Sequence, residues 1–279
     1  MHKLAKTLSQ GLILLLLVMG GVVMLAPFWW VLVGSFRSIV ATFGSAAPQW
    51  WFTSFDLDNY RQVFQKIPIF NYMFNSFRIA SIIVVGQLIT GSMAGYAFAR
   101  LRFPGRNQLF SIMLAPMMIP PQVTIIPLFI MMRYLGWIDD PKSLIVPFLA
   151  SDFGVFLMRQ NFKAIPAELE DAARIDGANE FQIFGLIMMP LVKPGLVSFA
   201  IFTFMYYWND YFRPLIFISS QEKMTLPLGL AFLKGYMGLG SDAWLLAAIS
   251  IAVIPLIIVF LFAQRSFIEG ITMTGLKEG

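Results

Sequence analysis

The sequence predicts an all-α, polytopic membrane protein with six transmembrane helices, and three observations lead there. Of its 279 residues, 58% are hydrophobic and only 13% are charged, where a soluble protein carries roughly 25% charged residues. Mean hydropathy is +0.74. Uncharged runs long enough to cross a bilayer recur along the chain, and lipid is the solvent that tolerates so apolar an exterior.

Four windows reach the length of about 20 apolar residues that a span needs. Gly11–Ser35 is free of charge and too long for a secretory signal, so it reads as a retained first span. Ile79–Ala99 lies between Arg78 and Arg100, and Asn107–Met132 between Arg106 and Arg133. Ala243–Gln264 lies between Asp242 and Arg265. Two further windows are interrupted by charge. Ser143–Gln160 contains Asp152 and Arg159, and Phe181–Asn209 contains Lys193 between Pro190 and Pro194. Charges near helix ends can reach the interface, so both count as spans. The expected single permease-type domain, 1–279, thus has spans near 11–35, 72–99, 107–133, 143–162, 183–212 and 243–265.

Pro116, Pro120, Pro121 and Pro127 crowd the third span and predict a kink or an unwound turn. Gly91 and Gly95 give the second a small-residue face for close helix contact. The long segment from Arg37 to Phe70 carries Trp50, Trp51, Phe52 and Phe55, which suits an external interfacial belt. The short turn Arg100-Leu-Arg-Phe-Pro-Gly-Arg106 holds three arginines and no acid, so it reads as cytoplasmic, with both termini on that side.

Composition also excludes chemistry. The chain has no cysteine, and its single histidine is His2. Thiolate and imidazole centres are therefore not expected, and no metal site. The net charge of +5 does not call for nucleic acid in a membrane protein.

The most informative stretch is the loop 163–190 between spans four and five. Five of the chain's 15 acids, Glu168, Glu170, Asp171, Asp176 and Glu180, lie within it. Pro166 suits a first helical position, and the acids that follow complement the helix dipole. Arg174 follows Glu170 by four residues, and Gly177 suits a left-handed stop. Asn179 with Gln182 resembles a capping box opening a second helix. Leu169, Ala172 and Ala173 share one face, a slim ridge able to enter a cleft on another protein. The residues alone equally allow a solvated amphipathic helix lying on the membrane.

The spacing resembles the EAA loop of the permease subunits of bacterial ATP-binding-cassette (ABC) importers. Asp171-Ala-Ala173, Gly177 and Ile187-Met-Met-Pro190 stand at its intervals, with Asp171 where the family has glutamate and Met189 where it has leucine. The resemblance covers the whole chain and is to the carbohydrate branch, similar to the second maltose-system permease. It is carried also by Pro27-Phe-Trp-Trp30, Ser35-Phe-Arg37, Asp58-Asn-Tyr60, Asn75-Ser76, Tyr96-Ala-Phe-Ala-Arg-Leu-Arg-Phe-Pro-Gly105, Trp208-Asn-Asp210 and Gln264-Arg265. It implies the ABC type I importer permease fold, a non-enzymatic subunit in the cell inner membrane, and four partner polypeptides: a second homologous permease, two ATPases, and an extracytoplasmic solute-binding protein. The solute is then a sugar or sugar-like molecule, with glycerol phosphate as an alternative.

The chain holds no phosphate-binding Gly-x-x-x-x-Gly-Lys motif, so ATP and magnesium belong to the partner ATPases. On the resemblance, the loop helix docks in an ATPase groove and acts as a rigid lever. Glu168, Glu170, Asp171 and Asp176 would meet the ATPase, with Glu170 and Asp171 pairing with its basic groups. Leu169, Ala172 and Ala173 would fill the groove, and Gly177 would set the turn. Candidates for solute contact are Asn75, Tyr206, Tyr207, Trp208 and Asn209, since aromatic faces and amides suit sugars. Taken one by one, each residue suits interfacial anchoring or helix–helix hydrogen bonding better than solute contact. Asp152 must face protein or water, either on the solute pathway or paired with an arginine. A stand-alone secondary transporter or channel would predict ion-coupling acids or inverted repeats, and the sequence offers one candidate acid and no repeat. A membrane enzyme would need a polar catalytic set at the bilayer surface, for which a chain with no cysteine and the single histidine His2 has few candidates.

Overall fold

The computed structural model describes residues 2–37, 50–52, 55–236 and 241–275. Every regular element among them is helical. They are α1 (His2–Ser35), α2 (Asp58–Lys66), α3 (Ile69–Arg100), α4 (Arg106–Leu114) and α5 (Pro121–Tyr134). A short α6 (Lys142–Ile145) precedes α7 (Asp152–Lys163) and α8 (Glu168–Ile175). Then come α9 (Glu180–Leu191, π-helical over Ile183–Met188), α10 (Lys193–Trp208), α11 (Phe212–Phe217), α12 (Leu226–Tyr236) and α13 (Ser241–Gly275).

Three described helices are long and apolar enough to cross a membrane: Ser9–Ser35, Ile69–Arg100 and Asp242–Phe262. Two bent pairs raise the number to 5 if each is one span. The third predicted span, 107–133, is such a pair. Its arms meet at 98°, because Pro120 and Pro121 deny the backbone bonds that would carry α4 into α5. The fifth, 183–212, bends by 75° around Val192, so Lys193 opens a new helix instead of lying inside one. The predicted fourth span, 143–162, is not one helix either. The α6 turn runs into a 3₁₀ turn at Val146–Phe148, and α7 begins afresh at Asp152. There the Ser151 hydroxyl accepts from Gly154 N at 3.2 Å, an N-cap that fixes the restart.

The chain divides into two compact units. The first comprises Met1–Ile69 with Gly229–Ile254. In it Asn59 Nδ2 donates to the carbonyls of Ser35 and Arg37, at 2.9 and 2.6 Å. The Tyr60 and Ser35 hydroxyls lie 2.7 Å apart. Two of the short stretches singled out in the sequence therefore fold onto each other. Phe36, Phe52, Phe55 and Tyr60 stack into one aromatic group, while Trp51 stays open to the surroundings.

The second unit, Phe70–Leu228 with Pro255–Gly279, holds the features of functional interest. Its axis is α3, which at 32 residues is about 48 Å long. At the amino end of α3, Asn71 and Asn75 donate to the Glu222 carbonyl at 2.6 and 2.9 Å. Asn75 also donates to Met224 O, and the Ser76 hydroxyl accepts from Leu226 N. The loop they hold is tied in turn to Asp139, whose carboxylate accepts from the Ser219 and Ser220 amides and meets Lys223 Nζ at 3.0 Å. At the other end of α3, Arg100 reaches the carboxyl end of α7 and the helix α8. Between the ends, α7 and α10 press against the glycine face of α3. A methyl placed on Gly91 would meet Phe199, and one on Gly95 would meet Met158. The core at the Arg100 end consists of Tyr96, Met158, Phe162, Ala173, Ile183, Met188, Val192 and Phe199.

Candidate functional site

The helix α8 is built by local rules. Glu168, Glu170 and Asp171 occupy its first turn and Arg174 its last, each matched to the dipole. Its first helical residue is Glu168, so Pro166 stands just outside instead of at the first position. The stop is a Schellman motif. Gly177 takes φ +85°, Ala178 N donates to Ala173 O at 2.9 Å, and Gly177 N donates to Arg174 O at 3.1 Å. Asp176 is the C-cap. The capping box follows as expected: the Asn179 carbonyl oxygen accepts from Gln182 N, and the Gln182 oxygen from Asn179 N.

The face that α8 turns inward is not the predicted one. Glu170 is 3% exposed and Ala173 is 7% exposed, packed in the core with Phe162 and Ile183. Glu170 therefore does not offer its carboxylate outward, and Ala173 is not part of an exposed ridge. The helix is rotated so that the side shared by 170 and 173 faces the core, which leaves 169 at its edge and 172 beyond it, both open. Leu169, Ala172 and Ile175 are open, as are Glu168, Asp171 and Asp176. Phe181, at the start of α9, is open as well.

Glu170 is instead the centre of an internal charge network. Arg100 Nε lies 2.9 Å from its Oε1, in an ion contact without hydrogen-bond alignment. Arg174 Nη2 lies 3.4 Å from Oε2. Arg174 also reaches Asp171 at 3.2 Å and Glu180 at 3.1 Å, and Glu180 accepts from the Tyr96 hydroxyl at 3.0 Å. Arg100 Nη2 donates to Phe162 O at 2.7 Å and to Ile165 O. Burial pushes the Glu170 carboxyl above the usual carboxylate range, and the two arginines oppose that shift.

The same unit contains an open cavity of about 670 Å³. It is lined by Gln87 of α3, Met117 in the 3₁₀ turn after α4, the first half of α5, Phe148 with the segment from Ala150 to Phe153, and the end of α10 with the turn and α11 residues that follow. Tyr206 and Tyr207, two of the solute candidates, are among its lining residues. The Tyr207 hydroxyl accepts from Gln87 Nε2 at 3.0 Å. Three other candidates do not reach it. Asn75 is buried as the tether at the opposite part of α3. Trp208 is 3% exposed and stacks on Phe204 at 5.6 Å. Asn209 donates to Met205 O at 2.8 Å, closing its own helix. Each is a polar or aromatic residue consumed by packing or capping at a helix end.

Asp152 does face the cavity, and no ion pair among the described residues includes it. Sequence reading missed Gln87, Thr203 and Arg213, and placed Asp210 only in a motif. Arg213 is the notable one. Its Nε is 2.7 Å from Asp210 Oδ2, and its guanidinium lies over the rings of Phe148, Tyr207 and Tyr206 at 4.3, 4.6 and 5.1 Å. The i, i+3 spacing of Asp210 and Arg213 was a readable signal of the pair. Among the described residues no group of three or more His, Cys, Asp or Glu side chains could hold a metal ion.

Residues 87–272 match the family described as binding-protein-dependent transport system inner membrane component. The chain is 40% identical over 222 residues to the arabinooligosaccharides transport system permease protein AraQ of Halalkalibacterium halodurans, covering 79% of each chain. It is 35% identical over 208 residues to the sn-glycerol-3-phosphate transport system permease protein UgpE of Salmonella choleraesuis, covering 73% of each. Among solved structures, it is similar to a chain of a bacterial ABC transporter involved in the import of the acidic polysaccharide alginate. That likeness has a TM-score of 0.80 at 26% identity and covers 94% of this chain and 98% of the other.

Proposed function

Because the chain belongs to the family of binding-protein-dependent transport system inner membrane components, we propose that it is a membrane permease subunit of an ABC importer for a saccharide. The family match over residues 87–272 carries the importer reading. The saccharide is supported by the printed roles of the AraQ and alginate relatives and by the cavity. Tyr206 offers a ring face, and the Ser151 hydroxyl and Asp152 carboxylate offer hydrogen-bonding groups. A glycerol phosphate would need an unpaired cation. Arg213, the one cation in the lining, is already matched by Asp210, and Asp152 adds a further carboxylate.

The complete subunit crosses the membrane six times, with α6, its 3₁₀ turn and α7 together forming the fourth crossing. Support comes from the two ends of α3. About 48 Å of helix exceeds the hydrocarbon thickness of about 30 Å, so contacts at its ends lie on opposite sides. Residues 139 and 222 belong to the Asn75 end, and residues 162, 170 and 180 to the Arg100 end. Each stretch joining those groups must traverse. The arginine-rich turn 100–106 puts the Arg100 end in the cytoplasm of the cell, in the inner membrane, with both chain termini on that side.

The helix α8 then docks on a partner ATPase through Leu169, Ala172 and Ile175, with Glu168, Asp171 and Asp176 facing its basic groups. Glu170, Ala173 and Gly177 hold the helix in position from within. A second permease, a pair of ATPases and an external binding protein complete the importer. The test is Gly177→Val in the assembled importer. The left-handed backbone there should resist the change, and ATP-driven uptake should fall at least tenfold at normal membrane abundance. Undiminished uptake, or purification of the wild-type chain with no ATPase bound, defeats the reading.

A further inference from the structure

Given the importer reading, on which this step rests, we propose that Arg100 and Glu170 are positioning residues that bind the coupling helix to α3 and α7, so that the three helix ends move as one body during transport. One guanidinium joins them. Arg100 is the last residue of α3, its Nη2 donates to the carbonyls of Phe162 in α7 and Ile165 just beyond it, and its Nε faces Glu170 of α8 at 2.9 Å. Its side chain is 12% exposed and that of Glu170 is 4% exposed, so water competes little with the contact.

The rest of α8 has few holds on the protein. Of its described residues only Glu170 and Ala173 are buried. Ala173 supplies a methyl to the core, which resists compression of the helix toward α7 but not its sliding. The buried polar hold falls to Glu170, because separating a desolvated charge pair in any direction is costly. Arg174 adds a second cation from within α8 itself: it orients the Glu170 carboxylate and also reaches Glu180 of α9 at 3.1 Å, but in a half-exposed pair that water weakens. Lateral force reaching α8 is therefore transferred to α3 and α7 through the Arg100 fork. Without it, α8 would be held only by the Ala173 methyl and the exposed Arg174–Glu180 pair, and much of the force would be lost in the loop.

The assembled importer in nanodiscs tests this, with ATP as the probe. The readout is the ratio of ATP hydrolysis with the external binding protein present to hydrolysis without it, since that ratio requires communication through the permease. Glu170→Gln and Arg100→Gln should each lower the ratio at least fivefold in importers that still assemble by size-exclusion chromatography. The double variant should be no worse than the poorer single one, because the pair acts as a unit. Losses that multiply, or a Glu170→Gln ratio equal to wild type, overturn the proposal. If these variants do not assemble, Arg100→Lys decides: it keeps the cation and loses the fork, and should give an intermediate ratio, whereas an unchanged ratio overturns the joint. A wild-type importer whose hydrolysis does not respond to the binding protein would instead defeat the importer reading itself.

Discussion

Gly95 of α3 lies so close to Met158 of α7 that a methyl group on the glycine would come within 2.7 Å of the methionine Cβ and 2.9 Å of the Arg159 amide nitrogen. Backbone atoms cannot retreat as the tip of a side chain can. Gly95→Ala should therefore force α3 and α7 apart and destabilise the protein by about 1–3 kcal/mol. Thermal unfolding in detergent reads the effect. Gly20→Ala, with nothing within 4 Å of the added methyl, is the control and should leave the transition in place.

Gly177 poses the opposite case. Nothing lies within 4 Å of a Cβ there, yet its φ is +85°. Substitution cost is thus a matter of backbone alone. Asparagine should be tolerated, alanine should cost about 1–2 kcal/mol, and valine should cost more. Uptake measured across the three variants should follow that order. Equal uptake in the valine variant would show that the turn is not needed.

Asp139 is the one described non-glycine residue with positive φ, at 59°. Hydrogen bonds from the Ser220 hydroxyl and amide, then from Ser219 and Lys223, hold its carboxyl well below the usual carboxylate range against an opposing effect of burial. A depressed pKa means that the folded state favours the ionised form. Its contribution is complete above about pH 4 and is lost as pH falls below that value. Acid-induced loss of stability in detergent should therefore have a component that Asp139→Asn removes. Asparagine suits the backbone but cannot reproduce the ionic contact, so the variant should be less stable than wild type at pH 7 and closer to it at pH 3.

The two neighbouring aromatics at the end of α10 should behave differently. Tyr206 is 56% exposed on the cavity, while Trp208 is 3% exposed and stacked on Phe204. Tyr206→Ala should reduce saccharide uptake with little change in the amount of assembled protein. Trp208→Ala should cost about 3–5 kcal/mol and reduce the amount itself. Quantitative immunoblotting beside uptake separates the two.

These contrasts also show where the sequence was legible. Uncharged runs located the first, second and last spans, because lipid exposure constrains every residue of a run. The double proline announced the break in the third. The stop at Gly177 and the Asn179–Gln182 box were readable because capping is local chemistry. The inward turn of Glu170 was not, since its partner Arg100 is remote in the chain and only the fold brings them together. The cavity was half legible for the same reason. Tyr206 and Tyr207 were visible as candidates, but the neutralised Arg213 and the tethering role of Asn75 depend on three-dimensional neighbours. The restart at Asp152 was hidden because nothing in Leu149-Ala-Ser151 interrupts hydropathy.

The corner at Val192 has a mechanical corollary. The arm from Glu180 to Leu191 is about 18 Å long and the arm from Lys193 to Trp208 about 24 Å, set at 75° to each other. Such a shape is a bell crank: turned as a single piece about its elbow, it redirects a sideways nudge near the short tip into a swing of the long one. The Trp208 tip travels about one third farther than the Glu180 tip, so a small stroke beside the Tyr96 hydroxyl becomes a larger one beside the tyrosines that border the cavity.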